Sequence, residues 1–183
     1  MWRRIVNKIR GWYISSLPLE KQAKKAGVKM GSCNFIASKF WSTEPYLIEI
    51  GSHSAITVGV KIFTHGGGRV VRHEHPKFDA FGKVKIGDYV YIGSNALIMP
   101  GVTLEDHVLV AAGSVVTKSV HSGSVVGGNP AQYICSVEEY IAKNMDYNTE
   151  SKGLSYEEKK RLLQHLPDDK FIKKSFLKKG KEA

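Results

Sequence analysis

From Ile86 onward every sixth residue is aliphatic: Ile86, Ile92, Ile98, Leu104, Val110 and Val116. Four positions later in each unit stands a small or β-branched residue: Val90, Ala96, Val102, Val108, Ser114 and Val120. With 42% of the chain hydrophobic, six hits in six arise by chance roughly once in two hundred registers, so this is a repeat. Units at Ile50, Ile56 and Ile62 share the pattern, and Met30 and Ile36 extend it upstream. Six residues are too few for a helix pair or a propeller blade, but they make a short strand and a turn, one side of a coil. The first-position aliphatics must then point inward and stack on their counterparts in the next coil, while Gly51, Gly87 and Gly93 ease tight corners. Since each coil satisfies its backbone through its neighbours, function belongs on outer faces or on loops that leave the coil.

The register breaks once. Steps of six from Ile62 give Gly68, Glu74 and Ala80, and the aliphatic series resumes only at Ile86. Residues 65–85 are therefore expected to be a loop expelled from the coil, and they hold His65, His73 and His75 of the seven histidines. Such an excursion from a rigid scaffold is a natural place for chemistry.

Charge separates the ends from the middle. Residues 1–29 hold eight basic and one acidic side chain, residues 169–183 six and two, and the remainder thirteen and fourteen. The net charge of +10 therefore belongs to the ends, and the coil offers no electrostatic footprint for nucleic acid. Trp2, Ile5, Val6 and Ile14 among Arg3, Arg4, Lys8 and Arg10 predict an amphipathic basic helix within residues 1–26, able to touch an anionic membrane surface or to pack on protein. Val137 to Asn144 and Tyr156 to His165 have helical spacing, and a Lys-rich tail follows. The expected division is a basic extension over 1–29, the coil over 30–134 and a helical extension over 135–183. No apolar run approaches the ~18 to 20 residues of a membrane span or the pattern of a signal peptide, so a cytoplasmic protein is expected. Cys33 and Cys135 form no CxxC pair and read as buried free thiols rather than as a disulfide or zinc site.

The segment from Pro100 to Lys118, with Val126-Gly127-Gly128-Asn129-Pro130-Ala131, closely resembles the hexapeptide-repeat O-acetyltransferases, including the galactoside, maltose and capsular-polysaccharide enzymes. The likeness covers about residues 30–134. It implies an all-β, left-handed parallel β-helix, a homotrimer, acetyl-CoA as donor, no metal, and a saccharide hydroxyl as acceptor. Glu44 to Gly51 followed by Ile62-Phe63-Thr64-His65 is similar to the polysaccharide branch, where the Thr-His pair carries the catalytic histidine; that maps onto His65. The resemblance carries Ser94, Ala112, Thr117 and Lys118 to a coenzyme groove between adjacent subunits. Gly66 stands where relatives commonly have Asp, and Gln132 where galactoside-type enzymes have a basic residue.

The chemistry independently suits a histidine. A sugar hydroxyl attacking a thioester needs a base near neutrality, worth ~10² to 10⁴ in rate, and imidazole serves if a partner fixes its other nitrogen. Glu44 and a backbone carbonyl are the candidates for that partner. The developing oxyanion wants a backbone N–H, from the glycine turn at 66–68 or the coil edge near Ser94. Glu44, Arg72, His73 and His75 are candidate acceptor contacts, while His53, His107 and His121 occupy outer repeat positions facing solvent or another subunit. The same architecture also resembles trimeric zinc carbonic anhydrases, whose pattern places two histidine ligands five residues apart; no two histidines here are so spaced. The third reading is a non-catalytic scaffold or membrane-surface module.

Overall fold

The computed structural model of the protein describes residues 13–176. The chain divides after Val137 into two units.

The first unit begins with helix α1 (Leu19–Ala26), which ends where Gly27 takes a left-handed conformation, φ 117°, and returns its N–H to the Ala23 carbonyl. Of the expected helix of residues 1–26, residues 13–15 and Leu19–Ala26 are helical with a turn between them; residues 1–12 lie outside the described ones. Next come β1 (Lys29–Met30), β2 (Phe35–Ile36), β3 (Ile48–Ile50), β4 (Ala55–Ile56) and β5 (Lys61–Ile62). After the loop the chain continues through β6 (Val84–Ile86), β7 (Tyr91–Ile92), β8 (Leu97–Ile98), β9 (Thr103–Leu104), β10 (Leu109–Val110), β11 (Val115–Val116), β12 (Ser124–Gly128) and β13 (Ala131–Ser136).

These strands form three sheets, ordered β1-β3-β6-β9, β13-β12-β10-β7-β4-β2 and β11-β8-β5. The chain visits the three in rotation, so it winds as a parallel β-helix with three faces, called here the first, second and third. Ile86 pairs with Leu104, Ile92 with Val110 and Ile98 with Val116, each eighteen residues on, which is three six-residue units. All six of these side chains are at most 3% exposed, as are Val90, Ala96, Val102, Val108 and Ser114. The inward stack is therefore the one the period predicts, and β-branched side chains suit it because their χ1 is already restricted.

The corner glycines act differently from the expectation. Gly51, Gly87 and Gly93 do not take positive φ; among the residues that do are His53, Tyr89, His107 and Asn95, with Gly59, Gly101 and Gly113. A Cβ on Gly93 would stand 2.5 Å from the Ala112 nitrogen, and one on Gly51 2.7 Å from the Gly87 carbonyl carbon. These glycines let neighbouring coils approach. Cys33 shares the left-handed corner position of His53, Tyr89 and His107, with φ near 59°, and points outward. It is exposed and Cys135 is half-buried, so the expected burial of both thiols is corrected. His53, Tyr89 and His107 stack along this corner with ring centroids 4.8 and 5.0 Å apart.

Two boundaries also move. Val84 is already fully buried and Lys85 lies in β6, so the excursion closes before 85. At the other end the coil is finished by an antiparallel hairpin, β12 with β13, reaching Ser136. The expected break at 134/135 falls within this strand.

In the second unit, α2 (Val137–Asn144) and α3 (Tyr156–Gln164) match the helical spacing. Ser155 and Glu158 form a reciprocal capping box at the start of α3. Neither helix contains a buried residue, and no helix among the described residues is long and apolar enough to cross a membrane.

Candidate active site

The corner between the third and first faces collects the chemistry-bearing residues. Phe40 bridges Lys61 on the third face, so the turn from Trp41 to Glu44 lies one coil before the turn from Phe63 to His65. Adjacent coils are about 4.8 Å apart, which is why two residues twenty-one positions apart in sequence meet. His65 Nδ1 is 2.8 Å from Glu44 Oε2.

A hydroxyl cradle holds the carboxylate. Thr43 Oγ1 donates to Glu44 Oε1 at 2.6 Å and Thr64 Oγ1 donates to Oε2 at 2.7 Å. Ser42 Oγ stands 2.9 Å from Thr64 Oγ1, and Thr64 is completely buried. The hydrogen bonds from Thr43 and Thr64, then the contact with His65, hold the Glu44 pKa below its usual value. An ionised carboxylate only accepts hydrogen bonds, so Nδ1 carries a proton, and in the neutral ring the lone pair is on Nε2. The His65 side chain is 35% exposed and that of Glu44 16%, so the imidazole is reachable and its carboxylate partner largely is not. No protein group among the described residues hydrogen-bonds to Nε2. Phe81 returns across the loop mouth, bridging His65, with its ring centroid 5.5 Å from the imidazole. A methyl group built on Gly66 or Gly67 would meet nothing within 4 Å, so the space beside the histidine is open.

The residues carried over to the coenzyme fall on two corners. Thr117 and Lys118 follow β11 and share the corner of His65; both are exposed. Ser94 and Ala112 lie between the second and third faces, where the Gly113 N–H donates to the Ser94 carbonyl at 2.8 Å. Ser94 is half-buried and donates to Thr57 Oγ1 at 3.3 Å, while Ala112 is exposed. One chain therefore does not bring these four together; the third face separates them. Its outward positions are mostly apolar, Phe40, Phe63, Leu97, Met99 and Val115, with Lys61 charged and Thr117 polar. The first face instead presents Lys29, Glu49, Lys85 and Thr103.

Of the candidate acceptor contacts, Glu44 is the partner of His65. Arg72 folds the loop, donating to the Phe78 carbonyl at 3.2 Å and lying 3.4 Å from Asp79. His73 pairs with Glu74 on the surface, and His75 is exposed; none of the described contacts joins either to His65. No group of three or more His, Cys, Asp or Glu that could hold a metal occurs among the described residues. Sequence reasoning missed Ser42 and Thr43. The signal was a Ser-Thr-Glu run one coil before Thr64-His65, legible only once the coil spacing upstream is known.

The family model for bacterial transferase hexapeptide (six repeats) matches residues 83–118. Protein CapG of Staphylococcus aureus is 45% identical over 145 residues, covering 77% of this chain and 84% of that protein. A chloramphenicol acetyltransferase of Morganella morganii is 31% identical over 149 residues, covering 63% of this chain and 70% of that one. A solved galactoside acetyltransferase in complex with coenzyme A shares the fold, with a TM-score of 0.53 at 20% identity over 76% of this chain and 82% of that one. A shared period, a shared winding and relatives matched over most of their length lead to one conclusion: the chain belongs to the bacterial hexapeptide-repeat transferase family and is an acyltransferase.

Proposed function

We propose that this protein is an acetyl-CoA-dependent O-acetyltransferase that acetylates a saccharide hydroxyl, with His65 as general base and Glu44 as its positioning residue. The observation that carries the reading is the 2.8 Å contact between His65 Nδ1 and Glu44 Oε2, which leaves Nε2 without a hydrogen-bond partner among the described residues. The resemblance supplies the donor and the sugar; the dyad supplies the chemistry.

The transfer is direct. The acceptor hydroxyl oxygen attacks the thioester carbonyl carbon while Nε2 takes its proton. Glu44 stabilises the imidazolium that forms and keeps the ring in place. Collapse of the tetrahedral intermediate breaks the C–S bond, and the imidazolium returns the proton to the departing thiolate. The products are the acetyl ester and free coenzyme A.

The coil is left-handed, as in the family it resembles, and the working unit is a homotrimer. Two observations support the trimer: the donor-side residues sit on opposite edges of the third face, and that face is mostly apolar on its outside. Bringing two copies together along their third faces sets Ser94 and Ala112 of one beside His65, Thr117 and Lys118 of the other. Lys118 then meets a coenzyme phosphate, and small side chains let the pantetheine arm lie close to backbone. A cytoplasmic location follows from the donor.

The test is thiol release from acetyl-CoA with a panel of free sugars and glycan precursors. Release that depends on a sugar, with a matching acetyl ester in the product, supports the reading; transfer only to amines, or none to any hydroxyl, overturns it.

A further inference from the structure

None of the residues assigned above to acyl transfer lies in the lysine-rich segment that begins at Lys170. Residues 170–181 hold six lysines and no acidic side chain. Within the described part, Phe171 is 40% exposed, Ile172 53% and Phe176 100%. They alternate with Lys170, Lys173 and Lys174, all exposed. The preceding helix α3 adds Lys159, Lys160 and Arg161 beside exposed Tyr156 and Leu162. Lys173 touches Asp168 at 2.7 Å, but both side chains are largely exposed, 64% and 89%, so that pair is a surface contact of little weight.

Exposed aromatic and aliphatic side chains interleaved with lysines match one kind of surface. Water is a poor neighbour for Phe171, Ile172 and Phe176, whereas the boundary between lipid headgroups and acyl chains takes such side chains in. The lysines meet anionic headgroups at the same depth, since the negative potential of such a leaflet is felt only within about 10 Å. A nucleic acid would satisfy the lysines and stack on a ring, but it offers no place for Ile172.

We propose that residues 170–176 are a docking surface for an anionic lipid bilayer, holding the enzyme at a membrane. This does not depend on the acceptor assignment, because it is read as vesicle binding.

The full-length protein is sedimented with vesicles of phosphatidylcholine alone and of phosphatidylcholine with phosphatidylglycerol. The wild type binds the phosphatidylglycerol vesicles, and added salt weakens the binding. The variant Lys170→Gln, Lys173→Gln, Lys174→Gln loses roughly five-fold in affinity per lysine. The variant Phe171→Ser, Ile172→Ser, Phe176→Ser loses ten-fold or more at unchanged charge. Thiol release with a soluble acceptor serves as a folding control and stays at wild-type level in both. Equal binding to both vesicle types, or undiminished phosphatidylglycerol binding by either variant, overturns the proposal. Duplex DNA retained in preference to vesicles, or loss of self-association in the apolar variant with no lipid binding by the wild type, overturns it as well.

Discussion

Thr64 and Glu44 are joined by a 2.7 Å hydrogen bond between adjacent coils, from a fully buried hydroxyl to the carboxylate that touches His65. Thr43 adds a second hydroxyl at 2.6 Å. The carboxylate is thus fixed before any ligand arrives, and the imidazole inherits its orientation from the rigid part of the molecule rather than from the loop it opens.

Titration of Glu44 tests that fixing. Its pKa is lowered in the folded protein, first by Thr43 and then by Thr64. A group with a depressed folded pKa contributes stability above its unfolded pKa, and that contribution fades as pH falls through the folded value. The Glu44 carboxyl signal in NMR is expected to titrate below the usual glutamate range. In Thr43→Val it moves up toward that range, and the acid limb of the stability curve moves up with it. An unmoved signal would show that the hydroxyl cradle is not what holds the charge.

Two glycine-to-alanine changes should part company. Gly93→Ala drives a methyl group into the backbone of Ala112, which cannot yield without separating two coils, and should cost about 1–3 kcal/mol or more. Gly66→Ala meets nothing and should lie within about 0.5 kcal/mol of wild type. Denaturant melts of both variants measure the difference, and equal stabilities would mean that coil approach is not why Gly93 is glycine.

The placement of His65 and Ala112 on different corners predicts complementation between copies. His65→Ala and Ala112→Trp are each expected to be inactive alone. Refolded together in equal amounts, they regenerate intact sites where one chain lends its His65 corner and its neighbour the Ala112 corner, roughly a quarter of the total for random assortment. Mixtures as inactive as the separate variants would place the whole site within one chain.

Much of the core was legible because a six-residue period leaves little freedom: once Ile86, Ile92 and Ile98 point inward, the residues between them must turn. The period could not show why Gly51 and Gly87 are glycine, because close approach involves the next coil rather than the local turn. It also misjudged Cys33. A hydrophobic-looking thiol was expected inside, but its corner position takes a left-handed conformation that aims it out, as it does His53 and Tyr89. The hairpin of β12 and β13 lies where the period ends and hairpin pairing takes over. In the site, the break in register marked a loop with three histidines, and the resemblance of Thr64-His65 to the polysaccharide branch chose His65 among them. Its partner was only one of two candidates, since the upstream coils are twenty residues long, as in the pairing of Met30 with Ile50, rather than eighteen.

The most direct test is a double-mutant cycle on the dyad, reading kcat/KM for acetyl transfer in His65→Ala, Glu44→Gln and the combined variant, each confirmed as an intact oligomer. If Glu44 acts only through the imidazole, His65→Ala loses about 10² to 10⁴ in rate, and adding Glu44→Gln costs nothing further. Losses that multiply would show that Glu44 has a separate task, and a His65→Ala enzyme with full activity would contradict the account.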